Sequence, residues 1–89
     1  MKKTYIKKQE IIEAIKYDGN NRDEIYEFAK TDASLISIEH HWYQKECLDL
    51  QTIRGTYLIH PGEYVAKTML GYIVVFKPEA FHVLYEEEI

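Results

Sequence analysis

Apolar and polar residues alternate over several short stretches of the chain, which is the period expected of β-strands. The first predicted strand lies in EIIEAIKYDG, residues 10–19, which is rich in isoleucine and ends at a turn-forming Asp18-Gly19. Asp and Gly end strands readily because both tolerate the backbone angles of tight turns. The pattern predicts a strand of about six residues near the start of the chain.

The next stretch, NNRDEIYEFAK, has the period of a helix instead. Ile25, Phe28 and Ala29 fall at i, i+3 and i+4, so they form one apolar stripe. Asn21 with Glu24 three positions later matches a capping box, which marks a helix start. A helix this short is marginal alone, so we expect it to dock on a sheet.

The clearest β signal is CLDLQTIRGTYLIH, residues 47–60. If Arg54-Gly55 is the tip of a tight hairpin, Leu50 faces Ile59. The opposite face then carries Asp49, Gln51 and His60 together with Ile53 and Leu58. Arginine fits a positive φ poorly, so a three-residue loop with Gly55 as a bulge is an open alternative, which would shift the pairing by one.

Further strands follow from the same alternation. LISIEHHW, residues 35–42, predicts a strand with a weaker pattern. After a Pro-Gly break, EYVAKTMLGYIVVFK predicts a second hairpin around Leu70-Gly71. Its second arm, residues 73–76, is apolar on both faces, which places it at the centre of the sheet.

The last stretch, PEAFHVLY, fits either a short helical turn or a final edge strand, with Phe81 and Tyr85 as packing anchors. We also expect several of the eight tyrosines to lie in the core. The tyrosines assigned there are Tyr57, Tyr64 or Tyr72, and Tyr85.

Together these elements predict an α+β fold. One short helix, at about residues 21–31, packs on a mostly antiparallel, curved sheet of about five to six strands. The chain has 89 residues, of which 46% are hydrophobic. That content suffices for one small core but not for two, so residues 1–89 are expected to form a single domain.

The formal net charge of −4 argues against a general affinity for nucleic-acid phosphates, because counterion release requires clustered basic residues. Charge runs at the two ends, basic at the start and acidic at the finish, are typical of solvated termini. The single cysteine excludes an intrachain disulfide and suits a reducing cytosol. We expect neither a signal peptide nor a membrane span, since no apolar run approaches ~18 residues. The charged ends comprise Lys2, Lys3, Lys7 and Lys8, and Glu86, Glu87 and Glu88.

Four short motifs occur in order along the chain. They are Glu13-Ala14-Ile15, the T-x-x-G of residues 52–55, Gly62-Glu63-Tyr64-Val65, and Lys77-Pro78-Glu79-Ala80-Phe81 followed by Tyr85. Together they resemble a family of small, uncharacterised proteins of tailed phages and prophages of Gram-positive bacteria, and the resemblance leaves out residues 37–46. It implies a phage or prophage origin and expression inside an infected cell, but it implies no particular activity.

Metal binding and catalysis find little support in the sequence. Neighbouring residues of a strand point to opposite faces, so His40 and His41 should not share an ion. Cys47 lies beside Glu46 and close to Asp49, and carboxylates disfavour a reactive thiolate. We expect Cys47 to be a half-buried edge residue. No spacing of carboxylates suggests acid-base chemistry, so we predict neither enzymatic activity nor a metal or other cofactor.

Binding is the remaining chemistry. Trp42 and Tyr43 stand in a sequence too polar for a core strand, where such rings can fill a pocket on a partner or stack on a ligand. They can also fold back and cap the sheet. If the ligand is a nucleotide, a cation beside the rings can come from Arg54, Lys45, Lys67 or Lys77. The candidate contact residues are Trp42, Tyr43, His41, Lys45 and Arg54.

These observations favour a small, non-enzymatic binding protein that acts in the cytoplasm of the infected host. It would occlude a host protein or sequester a small molecule, with a possible anti-defence role. A small virion or assembly accessory is the alternative, and a nucleic-acid-binding protein is a lesser one. A domain of this size leaves much surface uncovered, so we also expect a homodimer.

Overall fold

The computed structural model describes residues 2–5 and 11–86. Within them the chain forms six strands and two helices. The part of the first predicted strand before residue 11 lies outside the described residues, as do Lys7, Lys8, Glu87 and Glu88 of the charged ends. The elements are β1 (Glu13–Lys16), α1 (Arg22–Ala29), β2 (Leu35–His40), β3 (Leu48–Thr52), β4 (Gly55–Ile59), β5 (Tyr64–Lys67), β6 (Ile73–Phe76) and α2 (Pro78–Leu84).

The strands form two antiparallel sheets, ordered β1-β5-β6 and β2-β3-β4. The α+β class is therefore confirmed, and so is the number of strands. The single curved sheet is wrong, and so is the single helix, because α2 is a second one. The chain changes sheet at Pro61-Gly62, where the Glu63 N–H donates to the His60 carbonyl at 3.1 Å and Gly62 has φ of 96°. This type II turn directs β5 away from β4, and β5 pairs with β1 instead.

The second hairpin, β5 with β6, forms as predicted, but its second arm is not central. Because β5 pairs with both β1 and β6, β6 lies at an edge. Its apolar residues divide between two environments: Ile73 and Val75 pack in the hydrophobic core, and Phe76 contacts the last helix. Phe81 of α2 stacks on Tyr64 with ring centroids 4.1 Å apart, and Tyr85 contacts Phe76 at 5.9 Å. The ambiguous final stretch is thus a helix with the expected anchors.

The hairpin of β3 and β4 has the predicted faces but a different register. Leu50 pairs with Tyr57 rather than with Ile59. The turn is Ile53-Arg54, one residue earlier than predicted, so Gly55 with φ of 145° begins the second arm. The pairing therefore differs by two positions from the tight hairpin, and the bulged alternative is wrong as well. A shift by two residues leaves every side chain on its predicted face.

Helix α1 is shorter than the predicted 21–31, and its capping box is absent. The Asn21 side chain makes no cap hydrogen bond to the helix. It turns back instead, accepting from the Asp18 N–H and donating to the Lys16 carbonyl, both at 2.9 Å. The Asn21 amide also donates to the Glu24 carboxylate. Asn21 therefore joins the helix to the end of β1.

One hydrophobic core connects the two sheets and α1. The tyrosine in its centre is Tyr17, which is fully buried and was not among those expected. Of the expected tyrosines, Tyr57, Tyr64 and Tyr85 are half-buried and Tyr72 is 38% exposed. The core consists of Tyr17, Ile25, Ala29, Ile38, Leu48, Leu50, Ile59, Val65 and Ile73.

Neither helix in the described part of the chain is long and apolar enough to cross a membrane.

Candidate functional site

The structure brings four of the five candidate contact residues together. His41, Trp42, Tyr43 and Lys45 all lie in the connection between β2 and β3, residues 41–47, which we call the aromatic loop. Arg54 lies at the opposite end of β3, and the length of that strand alone separates it from the loop by about 14 Å. A nucleotide pocket that combines Arg54 with the loop rings is therefore not formed.

Trp42 and Tyr43 stand out from the surface of the protein. They are 80% and 76% exposed, and they contact each other edge to face with ring centroids 5.4 Å apart. They do not cap the sheet. Such a pair leaves a large apolar area in water, and that area becomes available for binding.

The base of the aromatic loop is held by backbone hydrogen bonds. The His41 N–H donates to the Cys47 carbonyl, and the Cys47 N–H donates to the Gln44 carbonyl, both at 2.9 Å. The buried Tyr17 hydroxyl donates to the Glu46 carbonyl at 2.8 Å. The core therefore anchors the backbone of the loop from below, which reduces the backbone entropy lost when the rings bind.

The two histidines have separate partners. The Nδ1 atom of His40 lies 2.9 Å from the Lys45 carbonyl, so it donates there as Nδ1–H. The Nδ1 atom of His41 lies 3.0 Å from a carboxylate oxygen of Asp49. Both members of the His41–Asp49 pair are 23% exposed. Each histidine thus supports the loop. Among residues 2–5 and 11–86, no three or more His, Cys, Asp or Glu side chains form a group that could hold a metal ion.

Cys47 is 1% exposed, so its placement at a half-buried edge is wrong. The loop folds over it, and its Sγ donates to the Gln44 side chain at 3.5 Å. Burial raises the pKa of the Cys47 thiol, and the charges of Glu46, Glu63 and Asp49 raise it further. A protonated, covered thiol is a poor nucleophile.

Arg54 contributes to a different feature, an open cleft of about 530 Å³ between the turn of the β3–β4 hairpin and that of the β5–β6 hairpin. Its guanidinium donates to Asp32 at 3.1 Å and lies over the Tyr72 ring, 5.0 Å from the centroid. Ile53 and Leu70 line the cleft and are 77% and 83% exposed. The cleft thus combines a cation, a ring and apolar walls.

Asp32 is a buried carboxylate that the sequence analysis missed. It accepts from the Ser34 N–H at 2.9 Å, the Ser34 hydroxyl at 2.7 Å and the Ile73 N–H at 2.9 Å, besides Arg54. Burial alone would raise the pKa of Asp32, but these hydrogen bonds lower it to about 2. Asp followed two residues later by Ser is a turn signal that indicates the local contacts. It does not indicate the contact with β6.

The chain matches no protein-family model, no curated protein and no solved structure.

Proposed function

We propose that this chain is a small, non-enzymatic binding protein, encoded by a tailed phage or prophage of a Gram-positive bacterium. It acts in the host cytoplasm by occluding a host protein, and the aromatic loop makes the contact. The observation that carries the proposal is the exposure of Trp42 and Tyr43 on a loop whose base is anchored to the core.

A protein partner suits this surface better than a small molecule does. Trp42 and Tyr43 project from the protein, whereas small ligands are bound in concave sites. Tryptophan and tyrosine are also the residues most enriched among those that dominate protein interfaces. The partner should therefore present an apolar pocket that admits both rings.

The surroundings of the rings suggest how the contact is oriented. Lys45 and Glu46 are exposed in the same loop, and Glu39 is exposed at the end of β2. Charges of both signs at the rim of an apolar contact favour specificity and encounter rate more than affinity. The rings supply the affinity.

Support for a non-enzymatic role comes from the same residues. The thiol of Cys47 is 1% exposed beneath the loop, and the Nδ1 atom of His41 is engaged by Asp49. This arrangement lacks the nucleophile and base pair of covalent catalysis.

Affinity capture from a Gram-positive host lysate tests the proposal. The wild-type chain is compared with the Trp42→Ala/Tyr43→Ala variant and with Met69→Ala/Leu70→Ala, a matched control. Met69 and Leu70 are also adjacent in a hairpin loop, and they are 76% and 83% exposed. We expect a host protein that the wild type and the control retain and the loop variant loses. A protein retained by all three, or by none, contradicts the proposal.

The cleft beside Arg54 favours a second candidate function, the sequestration of a small molecule. Arg54 lies over the Tyr72 ring, and this combination of a cation and a ring suits a planar anion. The cleft volume of about 530 Å³ is within the range of small-molecule sites. The Arg54 charge is partly balanced by Asp32, which weakens this candidate. Mass spectrometry of compounds released from the purified protein tests it. A compound lost from Tyr72→Ala supports sequestration, and the absence of any compound contradicts it.

A further inference from the structure

The two three-stranded sheets have four outer edges, at β1, β2, β4 and β6. An edge strand directs every second pair of backbone N–H and C=O groups outward, where another strand can bind them. On three edges a side chain of this chain already binds such a group. These contacts are Asn21 to the Lys16 carbonyl on β1, Arg22 to the Ile38 carbonyl on β2, and Asp32 to the Ile73 N–H on β6.

The outer edge of β4 differs from these three. Its hydrogen bonds to β3 are made by Gly55, Tyr57 and Ile59, as the register after a two-residue turn requires. The N–H and C=O groups of Thr56 and Leu58 therefore point away from the sheet. Within residues 2–5 and 11–86, none of these four groups has a hydrogen-bond partner.

We propose that β4 pairs antiparallel with β4 of a second copy, which joins the two β2-β3-β4 sheets into one six-stranded sheet. In this register Thr56 lies opposite Leu58 of the second copy, and the two residues exchange both backbone hydrogen bonds. The symmetry-related pair does the same. Tyr57 then lies opposite Tyr57 of the second copy, at the two-fold axis.

The composition of β4 argues for a second copy as the occupant. The strand GTYLI contains no charged residue, so antiparallel self-pairing brings no like charges together. It also lacks the lysine and proline that commonly protect exposed edges. Tyr57 is half-buried and Leu58 is 38% exposed, so both rows of side chains gain cover from the matching strand.

Light scattering with two proline variants tests the dimer. The Thr56→Pro change removes an N–H that points outward and spares the bonds to β3. Ala14→Pro makes the same change on the outer edge of β1 and is the matched control. We expect the wild type and the control to have twice the 10.6 kDa chain mass. For Thr56→Pro the dimer dissociation constant should rise roughly 10-fold or more. A monomeric wild type overturns the proposal, as does a folded Thr56→Pro variant that dimerises equally well.

An engineered disulfide tests the register of the β4 pairing. It also tests the dimer itself if Thr56→Pro does not fold. Opposed residues of a non-hydrogen-bonded pair have Cα atoms about 4.5 Å apart, within the reach of a disulfide. Tyr57→Cys should therefore form a covalent dimer on mild oxidation. Wild type, whose Cys47 is 1% exposed, should not. Failure of Tyr57→Cys to cross-link overturns the register. Neither result bears on the aromatic loop, which lies outside β4.

Discussion

Asp32 accepts a hydrogen bond from the Ile73 N–H at 2.9 Å, across 41 residues of sequence. The same carboxylate binds Ser34 and Arg54, which flank the β2-β3-β4 sheet. Asp32 therefore ties the edge of one sheet to the turn of the other. A buried carboxylate with several donors stabilises the fold only while every donor is satisfied by it.

Asp32→Asn should lower the free energy of unfolding by about 2–4 kcal/mol. The amide keeps the size of the side chain but loses the charge that pairs with Arg54. It also turns an NH₂ group toward donors that need an acceptor. Urea unfolding followed by circular dichroism measures the loss. The control is Asp23→Asn, whose side chain is 97% exposed and which should change stability by less than about 0.5 kcal/mol. Equal effects at the two positions would contradict this role of Asp32.

The same residue predicts an acid-sensitive stability. The pKa of Asp32 is lowered from 3.8 to about 2, so the folded state favours the ionised form. This contribution is present above the unfolded pKa of 3.8 and is lost as the pH falls through the folded pKa of about 2. Its size is on the order of 2 kcal/mol, at 1.36 kcal/mol per unit. Unfolding free energies across this range should show the loss in wild type. A similar slope in Asp32→Asn would assign it to other carboxylates.

Tyr17→Phe removes the hydroxyl that donates to the Glu46 carbonyl from beneath the aromatic loop. We expect a loss of about 1 kcal/mol in unfolding free energy, because the ring still fills the core while one carbonyl loses its donor. Hydrogen exchange of the His41 and Cys47 amides should become faster, since both close the base of the loop. Tyr26→Phe, at a ring that is 41% exposed, is the control. Unchanged exchange in Tyr17→Phe would show that the base of the loop is held without the Tyr17 hydrogen bond.

The faces of the elements follow from the sequence because each depends on local period alone. The stripe of Ile25 and Ala29 is buried as predicted, and the faces of the β3–β4 hairpin agree with the alternation. Register is a finer property. Moving the hairpin turn by one residue changes the partner of Leu50 but not its face, so alternation does not distinguish the two pairings.

The division into two sheets depends on contacts far apart in sequence. β1 pairs with β5 about 50 residues later, where Ala14 lies opposite Ala66, and no local pattern distinguishes this pairing from one between β4 and β5. The buried position of Tyr17 follows from the same pairing.

Some features of the candidate site were predicted from the sequence, and others depend on how the strands are arranged. The polarity around Trp42 and Tyr43 predicted a loop rather than a core strand, and both rings are exposed in the loop. The separation of Arg54 from that loop follows from the length of β3 alone, so the predicted hairpin already implied it. The pairing of His41 with Asp49 depends on the alignment of β2 with β3.

Trp42 is the only tryptophan of the chain, so its fluorescence reports directly on the aromatic loop. The most direct test of the central claim is its emission, with acrylamide quenching, before and after the captured host protein is added at saturating concentration. The ring is 80% exposed in the free protein, so quenching should be efficient there. We predict a blue shift and strong protection from quenching in the complex. Unchanged emission and quenching in a saturated complex would show that the partner binds elsewhere and would contradict the claim.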